Sequence, residues 1–204
     1  MVTFQYGLDT SYGSILLGNP NPVSGASNTA VSATFGSFLP NTTYHYRVSA
    51  TNLHGTTNGA DMTFTTLPSA PTATTVPASS VTTTGATLNG TVNGNGTSTT
   101  VTFEYGLDTN YGTTVTADQS PVAGSVNTAV SKAITGLTNG VTYHYRAVAT
   151  NGGGTSYGAD MIFTTGTVPP TATTNAASGI TATGATLNGT INANNSNTVV
   201  TFEI

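Results

Sequence analysis

The sequence predicts an all-β fold of tandem β-sandwiches, on three observations. Charged residues make up only 5% of the chain, while glycine (24 residues), threonine and asparagine are abundant, a composition of strands and turns. Apolar and polar residues alternate over short runs, the signature of strands with one buried face. The chain also repeats itself with a period of 99: Val2 to Val101 is 101 − 2 = 99 residues and Val101 to Val200 is 200 − 101 = 99. A period near one hundred is too long for a solenoid turn, so each copy is expected to be a whole domain.

The elements of one period follow in order. In "ATLNGTVN" (86–93) Leu88 and Val92 share a face, and in "VTFEYG" (101–106) Val101, Phe103 and Tyr105 do so with Thr102 and Glu104 opposite. "NTAVSKAITGL" (127–137) puts Val130, Lys132 and Ile134 on one side. In "VTYHYRAVATN" (141–151) Tyr143, Tyr145, Ala147 and Ala149 alternate with His144, Arg146, Val148 and Thr150, and Met161 and Phe163 repeat the pattern near the end. "NGNG", "LTNG" and "NGGG" separate these runs as turns. About seven strands per period make a β-sandwich.

The segment "GLTNGVTYHYRAVATNGGG", with Leu137 six residues before Tyr143, resembles the E–F corner and F strand of a fibronectin type III domain; "FLPNTTYHYRVSATN", with Leu39, Pro40 and Tyr44, matches it in the first copy. The resemblance implies a tyrosine corner at Tyr44 and Tyr143, each hydroxyl tying down the E–F crossover beside Leu39 and Leu137. The family usually places a Trp in strand B. This chain has none, so Phe103, Tyr105, Tyr145 and Phe163 would supply the core aromatics, and another immunoglobulin-like sandwich fits the same pattern. In the family's strand order, 67–166 is one complete sandwich, 1–66 supplies strands C to G, and 167–204 supplies A, B and the start of C. The proline-bearing linkers "TTLPSAP" and "TTGTVPP" predict a stiff rod.

Several functions are disfavoured. Three cations, Arg47, Lys132 and Arg146, are too few to track a phosphate backbone, so nucleic acid is not an expected partner. No apolar run of about eighteen residues predicts a membrane span, and no charged-then-apolar leader opens the chain. The absence of cysteine excludes disulfides and thiolate metal sites. That absence fits either a reducing compartment or a bacterial outer surface, and the Thr/Asn/Gly-rich composition with so few Lys and Glu favours an extracellular or cell-surface location on a bacterium. His45, His54 and His144 lack the spacing of metal ligands. Asp108 and Asn110 in "GLDTNYG" open like a calcium loop, but the later carboxylates are missing, which leaves a structural turn. No acid pair, nucleophile set or phosphate-cradling glycine loop predicts catalysis or a cofactor.

Glu104, Arg146 and Asp160 are expected to form a cross-strand charged row, with Gln5, Arg47 and Asp61 in the first copy. A polysaccharide or other cell-surface ligand would use His144 and Arg146, although no aromatic platform is evident there. Lys132, with Ala33 as its counterpart, falls on the inward phase. It would either form an isopeptide crosslink with an Asn or Asp or reach out to water.

The two ends of the chain fall at the same phase of the repeat. From this, 1–66 is expected to present an acceptor face (Phe4, Phe35, Tyr46, Val48 and Phe64) with strand E as an exposed edge. Residues 167–204 are expected to supply the donor (Ile180, Leu187, Ile191, Val200 and Phe202). The function expected is a non-enzymatic subunit of a surface filament, joined head to tail to copies of itself by strand complementation. The alternative is a repeat segment of a large bacterial adhesin, or a spacer or attachment module of a secreted enzyme.

Overall fold

The computed structural model describes residues 1–203, and among them all regular structure is antiparallel β. Contacts divide the chain into two compact units, Met1–Ser69 and the residues from Ala70 on. The first contains β1 (Val2–Gly7), β2 (Ser14–Leu17), β3 (Thr43–Asn52), β4 (Gly55–Asn58) and β5 (Met62–Thr65) in one sheet of order β2-β1-β3-β4, with β5 also paired to β3. The second begins with β6 (Thr72–Ser79), β7 (Gly85–Asn93), β8 (Thr100–Gly106), β9 (Thr113–Thr116), β10 (Thr128–Thr135), β11 (Thr142–Asn151), β12 (Gly154–Tyr157) and β13 (Met161–Thr164).

In the second unit these eight strands form two layers. β10-β7-β6 is one sheet; β12-β11-β8-β9, with β13 on β11, is the other, and β6 and β7 pack across β11. The alternation read from the sequence fills the space between them. Leu88, Val92, Val101, Phe103 and Tyr145 are fully buried, and Val130, Ile134, Leu137, Tyr143 and Phe163 surround them. Phe163 stacks on Tyr143 and meets Tyr145 edge-on, while Tyr105 is only half-buried. Burying an aliphatic side chain of this kind contributes roughly 1.5–3 kcal/mol. No disulfide assists the core.

Tertiary context corrects two of the expected strands. Residues 28–36 of the first unit form no strand, although "NTAVS" (28–32) is identical to the start of β10 (127–131). β10 pairs only with β7, and the first unit has no counterpart of β7. A strand without a neighbour leaves its amides and carbonyls unmatched, so the segment makes only an isolated backbone bridge, between Asn19 and Ser32, beside the packing of the Phe35 ring on Tyr6 and Phe38. Likewise, 200–203 form no strand: β8 is held between β11 and β9, whereas 200–203 pair with no strand among the described residues. What the last part of the chain does form is a hairpin, β14 (Thr171–Ser178) and β15 (Thr186–Asn192). Its register reproduces that of β6 and β7, down to the irregularity before Ser178 and Ser79.

These differences predict unequal sensitivity at equivalent positions. Leu88 is fully buried and Leu187 is 47% exposed. Leu88→Ala is expected to cost about 2–5 kcal/mol and Leu187→Ala less than about 0.5 kcal/mol, measured by urea unfolding at a dilution where the chain sediments as a monomer. Equal costs would contradict the open state of the hairpin.

Candidate functional site

The first unit has one sheet where the sandwich built of β6 to β13 has two. The inner face of β1, β3 and β5 is therefore an open apolar groove. Phe4, Phe35, Tyr46 and Phe64 line one part of it, about 410 Å³, together with Tyr6, Leu16, Ala33 and Phe38. Val48 lines an adjoining part, about 590 Å³, with Met1, Val2, Val23 and Val31. Only Val2 and Tyr44 among the unit's described hydrophobic residues are buried, and Phe35 and Phe64 are 43% and 36% exposed. All five acceptor residues expected from the sequence thus lie on this face.

Tyr6 and Phe38 were missed, though both could have been found. Tyr6 shares the phase of Phe4, and Phe38 lies 99 residues before buried Leu137. Phe38 is the hub of an aromatic cluster, with its ring centroid 4.6 Å from Tyr44, 5.2 Å from Phe64 and 5.3 Å from Phe35.

The same offset corrects the assignment of Leu39. Its side chain is 61% exposed, and Phe38 takes the packing position; Leu39 contributes its amide, which donates to the Tyr44 hydroxyl (3.1 Å). In the second unit the Thr138 amide donates to the buried Tyr143 hydroxyl (3.0 Å). Buried Leu137 donates its own amide to the Thr84 carbonyl (2.9 Å).

The complete sandwich shows what a hairpin on such a face touches. The neighbour of β11 breaks between β12 and β13, and the amide of Ala147 in that gap donates to Thr75 Oγ1 (3.1 Å). The Tyr145 hydroxyl donates to the Val76 carbonyl (2.6 Å), Ser156 to the Pro71 carbonyl (2.6 Å) and Asn151 to the Gly94 carbonyl (3.3 Å). A side chain at Gly158 would collide with Thr75, so glycine there admits β6. Ninety-nine residues earlier stand Tyr46, Val48, Asn52, Thr57 and Gly59; ninety-nine later than the acceptors stand Pro170, Thr174, Asn175 and Ala193. Every donor and acceptor type recurs. Phe35, Phe38 and Val48 replace Ile134, Leu137 and Ala147, so the face is bulkier than its counterpart.

Of the donor residues, Ile180 is 73% exposed, Leu187 47% and Ile191 38%, and all of β14 is exposed. Hydrogen bonds between Asn139 and the turn at Asn194 and Asn195 join the hairpin to the preceding sandwich. Val200 and Phe202, also expected as donors, are 51% and 55% exposed and lie outside any strand. They repeat the positions of Val101 and Phe103, which Val2 and Phe4 already fill on β1.

The outer face of the sheet carries a polar network in both units. Arg146 pairs with Glu104 (2.7 Å) and lies between the rings of Tyr111 and Tyr157, its guanidinium carbon 4.7 and 4.2 Å from their centroids. Asp160 accepts from the Tyr111 hydroxyl (3.0 Å) and pairs with His144 (2.8 Å) rather than with Arg146, so the expected continuous charged row is two separate pairs bridged by a tyrosine. Gln5, Arg47, Tyr12, Asp61 and His45 repeat the arrangement. The His45 hydrogen bond holds the Asp61 carboxyl below its usual range, and burial with the Asp160 hydrogen bond raises the Tyr111 phenol.

Tyr12 and Tyr111 escaped the sequence because they sit in loops. They adopt left-handed φ values of 63° and 61°, where a side chain is strained. The turn around them is shaped by Asp108, whose carboxylate accepts the Asn110 amide (2.8 Å). It needs glycine at 106, where a Cβ would strike the Tyr111 carbonyl.

Lys132 reaches out to Asp118 (2.6 Å), with its side chain 36% exposed. The inward crosslink is replaced by a surface ion pair, because water is within reach of the long stem. His54 lies on the rim of the groove, its amide held by Asn52 Oδ1 (2.8 Å). Among the described residues no three His, Cys, Asp or Glu gather as a metal would need, and no helix is long and apolar enough to cross a membrane.

The chain is similar to the sensor domain of the anti-sigma factor RsgI4 of Pseudobacteroides cellulosolvens, with 21% identity over 46% of this chain and 92% of that one and a TM-score of 0.37. It is also similar to the FN1–FN3 domains of chicken CNTN1, with 15% identity over 81% of this chain and 56% of that one and a TM-score of 0.38. No family model and no curated protein matches it.

Two substitutions check the closures. Tyr143→Phe is expected to cost about 1–3 kcal/mol by stranding the Thr138 amide, read from unfolding of the full chain; an unchanged stability would remove the hydroxyl from that role. Burial raises the Tyr145 phenol to about 12, whereas an unfolded tyrosine ionises near pH 10. Its contribution is therefore complete below about pH 10 and lost as pH rises towards about 12. Tyr145→Phe is expected to flatten the alkaline fall in stability across that window.

Proposed function

We propose that the chain is a non-enzymatic structural protein of the bacterial cell surface, built of fibronectin-III-like sandwiches. In this reading it is the subunit of a filament in which β14 and β15 of one copy close the open groove of the next. The carrying observation is the match of contacts. Tyr46, Val48, Asn52 and Thr57 stand where Tyr145, Ala147, Asn151 and Ser156 receive β6 and β7, and the hairpin presents the same acceptors in the same register.

Burial of Leu187 and Ile191 would contribute roughly 1.5–3 kcal/mol each before ordering costs. A groove and a hairpin on different parts of one subunit make a heterologous contact, which propagates unless it closes into a ring.

A second reading, a repeat segment of a large adhesin or a spacer or attachment module of a secreted enzyme, is favoured by the regular 99-residue spacing of these contacts. An equivalent hairpin earlier in a longer chain would close the groove equally well. Partners on the outer face would then be cell-surface or polysaccharide ligands.

Concentration separates the two. A filament subunit forms fibres visible by electron microscopy above a threshold concentration. In the double variant Leu187→Asp, Ile191→Asp that threshold is expected to rise more than tenfold, while the unfolding of 70–166 stays unchanged. A wild-type chain that remains monomeric at every concentration would refute the filament and leave the second reading.

A further inference from the structure

One segment of the first unit remains unexplained by the groove itself. Residues 28–32 are identical in sequence to the start of β10, yet lie free of any sheet except at Ser32. There the amide of Asn19 donates to the Ser32 carbonyl (2.7 Å) and the Ser32 amide to the Asn19 carbonyl (2.9 Å). Both polar groups of Ser32 are therefore turned away from the groove, and on an extended chain those of its neighbours Val31 and Ala33 face the opposite way. Val31, Ala33 and Phe35 line the two parts of the groove.

The tether recurs in the complete sandwich, where the Asp118 amide donates to the Ser131 carbonyl (2.9 Å) and the Gln119 side chain accepts the Ser131 amide (2.7 Å). There the other edge of the segment is paired to β7, with Val130 opposite Gly90, Lys132 opposite Leu88 and Ile134 opposite Ala86.

We propose that docking of the hairpin folds a new strand in the subunit that receives it. Resting on the complementation reading, residues 29–35 pair antiparallel with β15 of a second copy. Thr29 then lies opposite Ile191, Val31 opposite Gly189, Ala33 opposite Leu187 and Phe35 opposite Ala185. The junction sheet contains three strands from two chains. The receiving copy supplies its outer strand, and Phe35, now 43% exposed, is drawn over the new core. The Asn19–Ser32 bridge fixes the register in advance, because a one-residue slip would turn Val31 and Phe35 out to solvent. The arriving hairpin is thus gripped on the sheet face by Tyr46 and Thr57 and along its edge by a strand that did not exist before.

The test uses the full chain. Thr34 and Thr186 fall opposite each other on the outward face of the proposed pairing, in the non-hydrogen-bonded class where Cα atoms approach to about 4.5 Å, close enough for a disulfide. The chain has no cysteine of its own. In Thr34→Cys, Thr186→Cys, mild oxidation of assembled protein is expected to give a ladder of covalent multimers on a non-reducing gel. The four-residue mismatch Ala30→Cys, Thr186→Cys is expected to give less than a tenth as much. Hydrogen exchange of wild-type protein is expected to show amides 29–35 slowing at least tenfold on assembly, and not in Leu187→Asp, Ile191→Asp. Assembly without that slowing, or equal crosslinking of both pairs, overturns the new strand and leaves the complementation reading intact. Crosslinked species no larger than one chain, or absence of assembly at any concentration, overturns both.

Discussion

A β-strand exists only beside another strand, and this constraint governs the molecule. Each strand residue carries a donor and an acceptor that must be matched or left in water. The pentapeptide Asn-Thr-Ala-Val-Ser occurs twice, at 28–32 as loose chain and at 127–131 opening β10. Local propensity is the same in both places, so the difference lies in β7, which pairs along the whole of β10. Unpartnered, the second copy of the "VTFE" segment is not a strand either, whereas Val2–Gly7 and Thr100–Gly106 each run between two neighbours.

The two layers of the complete sandwich are joined by more than apolar contact. Tyr145 is fully buried, yet its hydroxyl reaches the carbonyl of Val76 on the facing sheet. Thr75, also buried, answers the amide of Ala147 where the outer strand breaks. These bonds satisfy groups that burial would otherwise leave costly, and they set the depth at which β6 rests. Gly158 belongs to the same arrangement, since any side chain there would hold β6 away. In a chain without disulfides, polar contacts across the core and the tyrosine closures of the crossovers restrain movements that covalent links restrain elsewhere.

The outer face is ordered by a different device. Tyr12 and Tyr111 accept a strained backbone so that each ring lies under an arginine and each hydroxyl meets an aspartate. Charges on an exposed sheet contribute little as isolated pairs, but here aromatic stacking, hydrogen bonds and the Asp108-type turn share the same few residues. The result is a twice-repeated surface on modules whose inner faces differ in completeness.

The sequence by itself determined the all-β class and the inner face of nearly every strand of 70–166, because a period of two is visible in residue order. The period of two put Phe4, Phe35, Tyr46, Val48 and Phe64 on one face, while Tyr44 and Tyr143 came from the resemblance of their segments to a fibronectin type III corner. The sequence misjudged Leu39, where a one-residue difference in corner length hid Phe38. It also misjudged Lys132, because phase alone ignores the reach of a long side chain to Asp118. Tertiary structure alone decided which strands form, since 28–36 and 200–203 carry strand sequence but lack a neighbour. It alone brought Tyr111 and Tyr157 to Arg146, the first through a left-handed turn that no periodicity announces and the second through the pairing of β12 with β11. Alternation records which way a residue would face; only the presence of a partner strand makes that face real.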